Sequence, residues 1–98
     1  MEAMKRTVWQ VAADLRQILN GMDLKRYYPD VRMACFVGLR SVQLEVRAPI
    51  ARQRRQVADH VIRRLRERYA DWEDFYAVRF EEDYALLTIG GEHLVETL

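Results

Sequence analysis

Residues 49–70 read PIARQRRQVADHVIRRLRERYA, and the fold is decided by how this stretch is read. Ile50, Val57, Val61 and Leu65 recur at helical spacing, with Ala58, Ile62 and Tyr69 widening the stripe, which is the pattern of a helix with one buried face. Pro49 suits the first turn, where its missing N–H has no intrahelical partner. The opposite side is arginine. At about 100° per residue, Arg52, Arg55, Arg63 and Arg66 share one sector, interrupted only by Asp59.

Upstream of this helix, Val31–Val37 is apolar enough for a central strand. Residues 41–47 alternate strictly, Val42, Leu44 and Val46 against Gln43, Glu45 and Arg47, as in a sheet with one covered face. Downstream, residues 71–74 form a loop, and Phe75–Glu81 and Tyr84–Ile89 make a second hairpin around Glu82-Asp83. Gly90-Gly91 ends regular structure, and the remainder is a tail or short helical turn.

At the other end, Thr7 and Gln10 have capping-box spacing. The first helix follows, with Val8, Val11, Leu15, Ile18 and Leu19 on one face, and Asn20-Gly21 offers a left-handed stop. Residues 22–30 are a connection in which Pro29-Asp30 favours a turn. Gln10-Val11-Ala12 and Gln56-Val57-Ala58 share a register, which hints at an αββ repeat. The order αββαββ predicts one α+β domain over residues 1–98, with regular structure about 7–90. The expected architecture is a two-layer sandwich with two helices on one face of a four-stranded antiparallel sheet. It is a ferredoxin-like order with the first strand moved to the end.

The 98 residues are half hydrophobic and 32% charged, with net charge +1, a globular balance rather than a polycation. The charge is segregated: net +3 over residues 1–48, +5 over 49–70 and −7 over 71–98. Fourteen of the sixteen basic residues are Arg, whose planar fork suits carboxylate, phosphate and aromatic faces. A lone Cys35 within MACFV reads as a buried thiol in a reducing compartment. The N-terminus lacks a signal-peptide core, and no apolar run approaches the roughly 20 residues that span a bilayer. The expected location is cytoplasmic, with no membrane partner.

Through the first helix, the run Tyr28-Pro29-Asp30-Val31-Arg32 and the alternating strand Ser41–Arg47, residues 11–65 resemble a small domain of large polyvalent phage and plasmid proteins. The Trp-Asp-Gly-Pro type turn that would follow that strand is absent. The resemblance suggests a phage or plasmid setting and carries no function across.

No phosphate-cradling, nucleotide-binding or nucleophile-elbow motif is present. Ser41 and Cys35 would each need a positioned base to act as nucleophiles. His60 and His93 lack companions for a zinc site. The acids before and after the third strand lie roughly 20 Å apart, too far to share one ion. These readings predict no enzyme, cofactor or metal. Two surfaces are left. On the long helix, Arg52, Arg55, Arg63 and Arg66 are candidates for a protein partner or nucleic-acid phosphates. The competing expectation is self-neutralisation, with Asp59 and Glu67 at ion-pair spacing. Glu81, Glu82 and Asp83 would approach Arg52, Arg54 and Arg55, and residues 71–74 would lie beside Arg68. On the sheet, Phe36, Phe75, Arg79, Tyr84 and Leu86 are predicted to face away from the helices, as a homodimer or partner surface. The sequence thus predicts a small non-enzymatic binding protein acting by protein–protein contact, as regulator, adaptor or inhibitor. The alternative is a nucleic-acid-binding module using the Arg-rich helix 50–70.

Overall fold

A computed structural model of the protein describes residues 3–98. Its elements are β1 (Arg6–Thr7), α1 (Val8–Gly21), α2 (Leu24–Tyr27), β2 (Arg32–Val37), β3 (Val42–Arg47), α3 (Ala51–Arg68), β4 (Tyr76–Phe80), β5 (Tyr84–Ile89) and β6 (Leu94–Val95). The fold is α+β, three helices with a four-stranded antiparallel sheet in the order β2-β3-β5-β4.

The period-2 pattern sets the faces of this sheet. Val42, Leu44 and Val46 of β3 stand opposite Ile89, Leu87 and Ala85 of β5, and all six are buried. Tyr76, Val78 and Phe80 continue the same rows on β4, half-buried because β4 is an edge strand. Against this face pack α1, over β2 and β3, and α3, over β3 and β5, the two helices also touching each other. Val8, Val11, Leu15 and Ile18 of α1 and Val57, Val61, Ile62 and Leu65 of α3 complete the core.

Helix α1 begins with the expected capping box: the Thr7 hydroxyl accepts from the Gln10 N–H and the Gln10 side chain accepts from the Thr7 N–H. It does not stop at Asn20-Gly21. It includes Gly21, and the left-handed residue is Asp23 (φ 50°), which starts the short helix α2. Ile50 is the extended residue before α3, not part of its stripe, and is exposed at the helix's open end. The C-terminal tail is not helical. Gly91, at a φ of 125° that suits glycine, turns the chain so that β6 pairs in parallel with β1. Two-residue strands carry no periodicity, so the sequence could not announce them.

Candidate functional site

The sheet face away from the helices carries the complementary rows. Phe36, Gln43, Thr88 and Ala77 form one row across the sheet; Ala34, Glu45, Leu86 and Arg79 form the next; Arg32, Arg47 and Tyr84 form the third. Phe36 is 51% exposed, and Leu86 and Tyr84 are half-buried on the same face, two strands away across β3. Charges of both signs border this carbon. Arg47 pairs with Glu45 and, at 3.3 Å, with Asp83, while Arg79 pairs with Glu81 at 2.7 Å. The Arg47 guanidinium also lies over the Tyr84 ring.

Phe75 is not on this face. It is 5% exposed, in the core with Tyr69 and Trp72. The strand begins one residue later, and Asp74, at φ 50°, turns the chain so that Phe75 rolls under the sheet instead of continuing its alternation. Cys35 is likewise not a buried thiol. It points to the helix side, opposite Leu44, but on edge strand β2, where it stays exposed. Partial burial raises its thiol above the ordinary value, opposed by Arg16.

On α3 the structure places Arg52, Arg55, Arg63 and Arg66 together on the solvent side, all exposed. The expected neutralisation does not occur. Among the described residues none of the four is ion-paired: Asp59 and Glu82 enter no ion pair, and other acids are engaged elsewhere. Asp71 pairs with Arg6, Asp83 with Arg47, Glu81 with Arg79, Glu67 with Arg64 and Asp14 with Arg68. Arg55 lies over the Phe80 ring at 4.2 Å, which steadies the side chain without cancelling its charge. Arg63 reaches His60 at 3.4 Å. Partial burial, Arg63 and Arg64 hold the imidazole below its usual value.

Arg54, which the sequence placed near acidic side chains, instead leaves the solvent. It is 5% exposed and donates to the carbonyls of Ala48 and, at 2.7 Å, Glu82. At the other end of α3, Arg6 lies over both Tyr69 (4.4 Å) and Trp72 (4.9 Å) and pairs with Asp71. The buried Tyr69 hydroxyl donates to Asp14 at 2.6 Å. Burial, then that hydrogen bond, raises the phenol well above its ordinary value. This cluster packs beside the N-terminal strand and ties the middle of α1 to the C-terminal end of α3.

Among the described residues no three His, Cys, Asp or Glu side chains gather as metal ligands, and no helix is long and apolar enough to cross a membrane. No family, curated protein or solved structure matches the chain, so the functional reading rests on these two surfaces.

Proposed function

We propose that this is a small non-enzymatic cytoplasmic binding protein, of the regulator, adaptor or inhibitor kind, that acts by protein–protein contact through the sheet face away from the helices. We read the architecture as a two-layer, permuted ferredoxin-like sandwich. The order β2-β3-β5-β4 is the one such a sheet takes when its first strand moves to the end. The smallest dimension, 19 Å, suits one sheet plus one helix layer.

The observation that carries the reading is that Phe36 stands half in solvent on the same open face as Leu86 and Tyr84, which lie two strands away across β3, with charges of both signs around them. A two-fold contact sets a patch against itself, so a patch bordered by both Arg and Glu can satisfy its own rim, and a second copy is the occupant we assign. Four strands about 4.8 Å apart and about 20 Å long present roughly 400 Å² in projection. Against the roughly 800 Å² per partner of a standard interface, that makes the association reversible rather than obligate.

Sedimentation velocity over a concentration series tests this. The wild type should shift from monomer to dimer at micromolar concentrations, and Phe36→Arg with Leu86→Glu should leave a folded monomer by circular dichroism. A wild type that stays monomeric at several hundred micromolar would overturn the assignment.

A further inference from the structure

We infer that the solvent side of α3 is a phosphate-binding surface for double-stranded DNA, with Arg52 and Arg55 gripping one strand and Arg63 and Arg66 the other across a groove. The inference is independent of the sheet-face reading, since the four arginines belong to α3, which packs on the opposite face of the sheet, with Arg55 at the β4 edge over Phe80.

Charge is the first support. Four exposed guanidinium groups share a sector about 80° wide and about 21 Å long. None is ion-paired among the described residues, whereas Arg6, Arg47, Arg64, Arg68 and Arg79 all are. A row of four unpaired arginines around one central carboxylate, Asp59, keeps a net positive charge and is complementary to a polyanion. Arginine matches phosphate with a bidentate fork.

Spacing is the second. The row is two Arg-x-x-Arg pairs placed symmetrically about Asp59. Members of each pair are neighbours on the helix surface. The inner arginines, Arg55 and Arg63, are eight residues apart, about 12 Å of rise, which matches the ≈ 12 Å width of the B-DNA major groove. Asp59, exposed at the midpoint, decides between arrangements. A single phosphate strand running along the helix would be forced past this carboxylate. With the helix bridging a groove, Asp59 instead lies over the open groove, away from both phosphate rows. An acidic protein would answer the charge but has no reason to match the central acid.

Fluorescence anisotropy with a 20-base-pair mixed-sequence DNA duplex, across a salt series, tests the proposal. Non-specific binding through four phosphates should show a dissociation constant of about 10⁻⁴–10⁻⁶ M at physiological salt and a log–log salt slope near −3.6. Arg52→Gln with Arg55→Gln, and separately Arg63→Gln with Arg66→Gln, should each remove about half of that slope. Circular dichroism should stay unchanged, because all four side chains are exposed. The proposal is overturned if duplex binding is undetectable. It is equally overturned if the slope survives all four substitutions, if single-stranded DNA or an RNA duplex of equal length binds more tightly, or if polyglutamate displaces the duplex at equal charge concentration.

Discussion

Among the described residues, Arg54 is the only charged side chain in the core, and its two carbonyl partners belong to the end of β3 and the β4–β5 turn. It ties the start of α3 to both hairpins. Arg54→Met keeps the packing of the stem but leaves those carbonyls without their donor, at about 1–3 kcal/mol. Urea denaturation should show a loss of that size, against less than about 0.5 kcal/mol for the exposed Arg52→Met. Equal losses for the two would show that the bonds contribute nothing. Arg54 was invisible in the sequence because it reads as one more member of an arginine-rich helix. Its position beside the stripe of Val57, Val61 and Leu65 was the available signal. Phe75 failed for the opposite reason. It has the parity of Ala77 and Arg79, but parity holds only inside a strand, and the left-handed Asp74 breaks the alternation just before it.

At the level of elements, α1, α3 and the two hairpins were legible because each has a period, and burying one face of each against the other leaves few arrangements. The N-terminal strand was not, since β1 is held by contacts distant in sequence. The Met4 N–H donates to Asp71 at 2.8 Å, and Trp72 Nε1 donates to the Met4 carbonyl at 2.7 Å. The Met4 N–H, then Arg6, holds the Asp71 carboxyl below its usual range. A carboxyl depressed in the folded state contributes stability that is present above its unfolded value, about 3.9, and is lost as pH falls through the folded value. The melting temperature of the wild type should therefore fall more steeply below about pH 4 than that of Asp71→Asn, with the two curves running parallel at neutral pH. Superimposable acid limbs would show that Asp71 is not coupled to folding.

Over the whole molecule, the opposed charges of residues 49–70 and 71–98 suggest mutual neutralisation, yet among the described residues no ion pair joins the two segments, even where Arg54 reaches the Glu82 carbonyl. Strand β4 carries its two acidic loops to opposite ends of the sheet, where Arg6, Arg47 and Arg79 meet them, while the outer sector of α3 points the other way. Which acid meets which arginine depends on side-chain reach across paired strands, and helical spacing alone does not encode it. The consequence is two surfaces on opposite sides of one thin domain, Phe36 and Leu86 on one and the arginine row on the other. Distant sites without shared partners act additively. Phe36→Arg with Leu86→Glu should therefore abolish self-association while leaving the salt slope of duplex binding per protomer unchanged. Gln at Arg52, Arg55, Arg63 and Arg66 should do the reverse. Running sedimentation and anisotropy on both variants checks this directly. Loss of the dimer in the Gln variant would mean that the arginine row itself contacts the second copy, and the two faces would then have to be read as one interface.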